Sequence, residues 1–184
     1  MSKMAFLFYY LAKTAVSFCF NLLNLLLGGH LPPLGCVSMI VEEEQRYLVI
    51  RRASGEYAFA GGFIRWRESP EEAVRREGRE ETGLELQVGD VVAYQVVPSR
   101  SLTRMSTFCL VYEARAVGGS LRGSGEGQPS WLAEHEVRDR LAPMYQRMFD
   151  AYQAYHSRHA SATPVNASDI INDGTEQTSS TLLP

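Results

Sequence analysis

The stretch that decides the fold runs Gly62-Phe63-Ile64-Arg65-Trp66-Arg67-Glu68, then seven residues, then Arg76-Glu77-Gly78-Arg79-Glu80-Glu81-Thr82-Gly83-Leu84. Its middle carries helix signals at both ends. Ser69 reads as an N-cap, Pro70 as the first helical residue, Glu72 as the far half of a Ser-x-x-Glu capping box and Gly83 as the stop, which predicts a helix over 70–82. On that helix Glu77, Glu80 and Glu81 stand at i, i+3 and i+4, so their carboxylates leave one face within about one turn. Each like-charged pair costs roughly a few tenths of a kcal/mol when exposed and more when partly buried, so the arrangement calls for a cation. Hard oxygen ligands select Mg²⁺, with Mn²⁺ the alternative. Magnesium is usually held by one or two carboxylates plus substrate phosphate oxygens, so the acidic face is expected to take a phosphate ester through the metal.

The loop before the helix supplies the other half. Gly61 and Gly62 allow close backbone approach, and the Gly62 carbonyl is a further candidate metal ligand. Arg76 and Glu68 read as a pair in which a guanidinium beside the acidic cluster grips a carboxylate bidentately and fixes the loop against the helix. The chemistry that follows is metal-assisted hydrolysis: the ion neutralises phosphate charge and lowers the pKa of a bound water that attacks phosphorus.

These residues resemble the signature of the Nudix hydrolases: Gly, five residues, Glu, seven residues, Arg-Glu-aliphatic-x-Glu-Glu-x-Gly-aliphatic. Seven fixed positions at roughly 6% each coincide at any one start with a probability on the order of 10⁻⁹ to 10⁻⁸, which disfavours a merely solvated Arg/Glu face. The resemblance implies an α/β fold, a Nudix-type α/β/α sandwich with a mixed sheet, over residues 34–156. It also implies a pyrophosphohydrolase acting on a nucleoside diphosphate linked to another moiety. By position Glu77, Glu80 and Glu81 carry over as metal ligands, Arg76 and Glu68 as the organising pair, and Gly62 as the loop residue. Trp131-Leu132 and the helix after it match the family's C-terminal part. Three positions depart from the pattern. Gly78 replaces the aliphatic residue and, inside a helix, costs about 1 kcal/mol relative to Ala. Ala60 stands where Pro is frequent, and Arg67 where Gly is frequent. The alternative reading is a non-catalytic Nudix-fold nucleotide-binding or regulatory module tethered to a membrane. Such a module is expected to lose a metal ligand, and this chain keeps all three.

Other candidates follow from position. Glu126, in a glycine-rich loop before Trp131, stands where this family often places an extra carboxylate base or ligand, with an exposed loop residue as the bland reading. Arg51 and Arg52 end a strand leading toward the glycine loop and are candidates for phosphate contact, or surface charge. Tyr57, Phe59 and Trp66 are candidates for stacking on a base, or core packing. His135 and His156 lack ligand spacing and read as surface residues.

Outward from the signature, Gly35–Val41 and Arg46–Arg52 read as a strand pair joined by a turn at 42–45. Further strands are expected at 84–88, 90–97 and 105–117, a glycine-rich loop from Gly118 to Gly127, and a helix over about 143–157. Residues 157–184 are rich in Ala, Ser, Thr, Asn and Asp and read as a flexible tail. Asn166-Ala167-Ser168 matches a glycosylation acceptor, a pattern common by chance.

At the other end, Met4–Leu27 is apolar and, as a helix, roughly 36 Å long. At 100° per residue Lys3, Tyr10, Lys13, Ser17, Asn21 and Asn24 form one narrow polar stripe, broken by Phe6, opposite a wide apolar face. Insertion arithmetic comes to about zero: seven Leu, four Phe and one Val contribute roughly −4 to −7 kcal/mol, while Lys13 and two Asn oppose them. Three readings stay open for 4–27: an interfacial helix making peripheral membrane contact, a helix packed on the domain or on a homodimer partner, or a full span. Lys13 and Asn21 interrupt the apolar run and no small-x-small site follows, which argues against a secretory peptide. Gly28-Gly29-His30-Leu31-Pro32-Pro33 breaks the helix and marks the domain boundary.

The whole chain has 184 residues, 45% hydrophobic and 21% charged, and a formal net charge of −3. That size suits one domain with additions, and the charge offers no basic footprint, so a nucleic-acid polymer is not an expected partner and a small nucleotide-type substrate is. Cys19, Cys36 and Cys109 are odd in number and widely spaced, which points to a reducing, cytoplasmic setting rather than a disulfide framework or zinc site.

Overall fold

The computed structural model describes residues 3–99 and 101–161. Of the tail expected over 157–184, residues 157–161 instead continue the last helix, because the helix after Pro143 runs on to Ser161. Residues 162–184, with Asn166-Ala167-Ser168, lie outside the described residues, as do the side chains of Lys3, Tyr10 and Lys13. The elements in order are α1 (Lys3–Leu26), β1 (Leu34–Glu43), β2 (Arg46–Arg51), β3 (Tyr57–Ala58), β4 (Ala60–Phe63), α2 (Pro70–Thr82), β5 (Leu84–Val97), β6 (Thr107–Gly119), β7 (Gln128–Ala133), α3 (Glu134–Arg140) and α4 (Pro143–Ser161).

β1 organises the sheet. Its body pairs in parallel with β6, from Leu34 opposite Thr107 to Val41 opposite Ala114, and antiparallel with β4 on the other side. Its last residues, Glu42 and Glu43, turn back onto Tyr47 and Arg46 of β2. β2 carries β3 and β7, both antiparallel, and β5 pairs antiparallel with β6 at the far edge. A single parallel pair among antiparallel ones makes the sheet mixed, as the resemblance implies. Helices cover both faces. Val37, Met39 and Val41 of β1 pack with Ala73 and Val74 of α2 on one face, while Ile40, Cys109 and Val111 pack with Val137 of α3 and Met148, Phe149 and Tyr152 of α4 on the other. The alternation along β1 divides these sets because successive strand side chains point to opposite faces.

The helix over 70–82 appears where the sequence puts it, whereas the turn expected over 42–45 tightens to Glu44-Gln45, since Glu42 and Glu43 pair with β2. The Ser69 hydroxyl accepts the Glu72 N–H, the Glu72 carboxylate accepts the Ser69 N–H, and Gly83 closes the helix in the left-handed conformation at φ 78°. The strands expected at 84–88 and 90–97 are one continuous β5, whose register slips between Val88 and Val91 and again before Ala93. Gly89 separates the two expected strands, yet the long β6 beside it keeps the pairing going through the irregular register. Residues 118 and 119 of the expected loop finish β6, and β3, β4, β7 and α3 are further elements that the local pattern did not single out. β3 and β4 are too short to show a period of their own; neighbouring strands recruit them.

Gly78 has a packing reason. A β-carbon there would lie 2.4 Å from Leu86 Cδ1, so Leu86 of β5 fills the space that an aliphatic residue would occupy on α2.

α1 is a helix, and the described residues of its polar stripe, Ser17, Asn21 and Asn24, face protein. Ser17 is buried, and Asn21 Nδ2 donates to the carbonyl oxygens of Leu102 and Arg104 at 2.9 and 2.8 Å and of Ser101 at 3.4 Å. Asn24 Oδ1 accepts the Leu31 N–H at 2.9 Å, closing the breaker segment onto the helix. The apolar side chains Leu11, Val16, Phe18, Leu22, Leu23, Leu25, Leu26 and Leu27 are exposed. The full-span reading is corrected: among the described residues no helix is long and apolar enough to cross a membrane.

Candidate active site

α2 presents its acidic face to β4 and the loop that follows it. Arg76 lies at the centre. Its Nε and Nη2 donate to the two Glu68 oxygens at 2.6 and 2.9 Å, its Nη2 also reaches the Phe63 carbonyl at 3.0 Å, and its Nη1 donates to Glu77 at 2.5 Å and to Glu80 at 3.3 Å. One guanidinium therefore joins the start of the loop, its end and two carboxylates one turn apart, the bidentate grip that a planar fork makes and a lysine does not. It holds the Glu68 carboxyl down to about 2. That lowered value stabilises the fold above the ordinary carboxylate range, and the contribution is lost as pH falls toward 2.

The two glycines of β4 are required sterically. A β-carbon on Gly61 would lie 2.2 Å from the Val37 carbonyl oxygen, and one on Gly62 would lie 2.3 Å from Glu77 Oε1. At Gly62 the backbone has been brought against a carboxylate, leaving room for no side chain.

Glu81 differs from its neighbours in being buried, at 3% exposure. Its Oε2 accepts the Gly61 N–H at 2.9 Å. Burial raises its pKa to about 8, reinforced by a hydrogen bond with the Glu126 carboxyl and only partly opposed by the Gly61 N–H. Burial disfavours the charged form of Glu81, and a divalent cation beside it opposes that effect. Glu126, an exposed loop residue by its local sequence, is thus brought to the cluster by the 120–127 loop.

Arg65 is a further side chain at the acidic cluster that the sequence pattern did not single out. Its Nη2 lies 3.1 Å from both Glu80 oxygens, and its N–H donates to Glu68 at 2.8 Å. Among the described residues no three His, Cys, Asp or Glu side chains stand grouped as a ready-made metal centre. The carboxylates are instead held by Arg65, Arg76 and the Gly61 N–H. The donor set nonetheless fits a hard cation: acidic oxygens only, gathered at one end of one cavity, beside a glycine that keeps the approach to Glu77 clear.

That cavity, of about 560 Å³, lies on the α4 side of the sheet. At one end are Gly61, Gly62, Arg65, Glu77, Glu80 and Glu126. The other end is largely apolar: Cys36, Thr107 and Cys109 from β1 and β6 make a floor, and Phe59 with Met144, Tyr145 and Met148 of α4 make a wall. Arg52 bridges the ends, donating from Nη2 to the Tyr145 hydroxyl at 3.0 Å.

The structure thus brings together Glu68, Arg76, Glu77, Glu80, Glu81, Glu126, Gly62 and Arg52. It does not bring Arg51 with them. Arg51, the last residue of β2, is exposed and borders a separate hollow with Gly55, Ser124 and Gln128, to which Arg52 also contributes. Of the three aromatic candidates only Phe59 lines the cavity; Trp66 is 88% exposed and Tyr57 lies under the Arg140 guanidinium. His135 is exposed and His156 pairs with Glu113 at 3.0 Å. The α4 wall escaped sequence reasoning because Met144, Tyr145 and Met148 read there as ordinary helix residues.

A family model for the NUDIX domain matches residues 32–155. The chain is 36% identical over 126 residues to a "MutT-like protein" from Streptomyces ambofaciens, covering 65% of this chain and 79% of that one. It is 28% identical over 130 residues to an "ADP-ribose pyrophosphatase" from Methanocaldococcus jannaschii, covering 68% and 76%. Among solved structures, the MutT protein from Methanosarcina mazei Go1 superimposes with a TM-score of 0.58 at 24% identity, covering 71% of this chain and 97% of that one.

Proposed function

Since the chain belongs to the NUDIX family and is a hydrolase acting on pyrophosphate bonds, we propose that it hydrolyses a nucleoside diphosphate linked to another moiety, using Mg²⁺ or Mn²⁺. The single observation that carries this reading is the junction of an intact acidic cluster with a largely apolar wall inside one cavity. Glu77, Glu80 and Glu81, with the Gly62 carbonyl, are the groups assigned to the metal. When bound, the metal neutralises phosphate charge and acidifies a water for attack on phosphorus. Arg76 and Glu68 hold the loop against α2, so the carboxylates keep their spacing. Glu126, which lines the cavity with Glu77 and Glu80, is assigned as the acceptor of the attacking water's proton. Arg52 and Arg65 face the space a diphosphate fills, and Tyr145, backed by the buried Phe59, supplies flat surface for a base. Arg51, outside the cavity, has no part in this assignment.

The test is a panel of ADP-ribose, nucleotide sugars, dinucleoside polyphosphates and oxidised deoxynucleoside triphosphates with Mg²⁺ and with Mn²⁺. Release of a nucleoside monophosphate or phosphate from at least one of them is the expected result; complete inactivity on all of them with both metals would overturn the reading.

For α1 we infer peripheral contact, with a lipid surface or with a second copy of the chain, through the uncharged side chains that it leaves exposed. Liposome co-sedimentation and sedimentation velocity of the full chain, against Leu25→Glu/Leu26→Glu, separate the two. Neither lipid binding nor dimerisation by the native chain would reject both.

A further inference from the structure

Two of the three cysteines meet on the cavity floor, in a role that the hydrolytic reading does not use. Cys36 of β1 and Cys109 of β6 are direct partners across the parallel pair, in the middle of an unbroken register from Leu34–Thr107 to Val41–Ala114. Facing residues of a parallel pair project from the same side of the sheet. Here that side is the floor of the cavity, which both line. Cys36 is half-buried and Cys109 buried, and the Cys109 thiol donates to the Leu110 carbonyl at 3.8 Å.

We propose that Cys36 and Cys109 form a reversible disulfide on exposure to a hydroperoxide, and that this bridge alters the cavity floor and weakens substrate binding. The oxidant is hydrogen peroxide or an alkyl hydroperoxide small enough to enter the cavity. Cys36, the more accessible thiol, attacks one peroxide oxygen through its sulfur. The O–O bond breaks, Cys36 becomes a sulfenic acid, and water or an alcohol leaves with the thiol proton. The Cys109 sulfur then attacks the Cys36 sulfur; the S–S bond forms, the S–O bond breaks and a second water leaves. Two thiols are oxidised by two electrons and one peroxide is reduced.

The sheet explains why such a bridge forms and why it is easily undone. Neighbouring strands run roughly 4.8 Å apart, which falls within the Cα separations that disulfides span. A disulfide also needs its β-carbons at about 3.8 Å, closer than the strand spacing, so the bridge draws β1 and β6 together locally. Bridges formed under such tension have higher reduction potentials and yield readily to dithiols. Cys19, exposed on α1, has no such partner and serves as an internal control.

The experiment treats the full chain with hydrogen peroxide, blocks remaining thiols with N-ethylmaleimide and reads the intact mass and peptide map. The expected result is loss of two hydrogens, one alkylated thiol at Cys19, a crosslinked Cys36–Cys109 peptide and full reversal by dithiothreitol. Cys19→Ser still forms the bridge, whereas Cys109→Ser leaves a Cys36 sulfenic acid that dimedone traps. Three alkylated thiols after peroxide, a sulfinic acid at Cys36 of the native chain, or a bridge to Cys19 overturns the proposal. Its kinetic half rests on the hydrolase reading and predicts a KM raised several-fold, with kcat held within about twofold until dithiothreitol is added. An unchanged KM in the fully bridged protein overturns that half. Because bridging is read by mass, absence of turnover on any nucleotide rejects the hydrolase reading and the KM effect without touching the bridge.

Discussion

The two ends of the cavity are built in opposite ways. All but one of the acidic-end residues come from 61–81, a loop and the helix that follows it. The largely apolar end takes its residues from β1, β6, α4 and the short segment between β3 and β4, strands and helix far apart in sequence. Helical periodicity sets the spacing of Glu77, Glu80 and Glu81 whatever the rest of the chain does, so the chemistry is carried locally. The apolar wall exists only once the sheet register is complete and α4 has packed across it. Reaction type and substrate choice therefore answer to different parts of the chain.

Mutations that strike one end and spare the other test that division. The largest effect is expected from Glu80→Gln, which removes a carboxylate from the acidic end while leaving its shape: kcat should fall by about a thousandfold or more, since metal assistance accounts for several kcal/mol of the barrier. Steady-state kinetics with unchanged circular dichroism checks this, and a fall of less than about tenfold would remove Glu80 from the metal set. Next comes Gly62→Ala, whose new methyl group meets Glu77 Oε1 at 2.3 Å. Displacing a reacting group by about 1 Å costs on the order of a hundredfold in kcat; full activity would mean that Glu77 is free to move aside.

Tyr145→Ala strikes the other end. Loss of a stacking surface worth about 1 to 3 kcal/mol should raise KM by roughly ten- to a hundredfold, with kcat changed much less. A drop in kcat with KM unchanged would couple the two ends and break the comparison. Smallest of all is Trp66→Ala. Its ring is 88% exposed in a loop that is otherwise pinned by Arg76, so stability in urea should change by less than about 0.5 kcal/mol and KM should be unaffected. A clear KM increase would show that the loop closes over the substrate.

The first two helices show how legible each part was. α2 was readable in full because its caps, its acidic face and its stop are all local instructions, and each hydrogen bond they call for is present. α1 was readable as a helix with a polar stripe, but its orientation was not. The stripe includes Asn21, whose partners are three carbonyls about eighty residues away, and no local rule announces them. Glu126 lies between these cases: its position suggested a role, and its approach to Glu81 depends on how a loop folds back. Arg51 and Arg52 looked equivalent on paper; Arg51 ends β2 outside the cavity, while Arg52, one residue past the strand, reaches its lining.

By itself the amino-acid sequence determined the acidic helix, the glycine loop before it, the strand pair that opens the domain and, through the signature, the α/β class and hydrolytic chemistry. These follow from caps, periodicity and charge crowding, which act over a few residues. Only the tertiary structure decided which arginine enters the cavity, that burial beside Glu126 raises Glu81 toward neutrality, that Arg65 clamps Glu80, and that two cysteines separated by more than seventy positions face each other on its floor. Those outcomes depend on strand register and desolvation, which belong to the folded assembly and not to any short stretch of the chain.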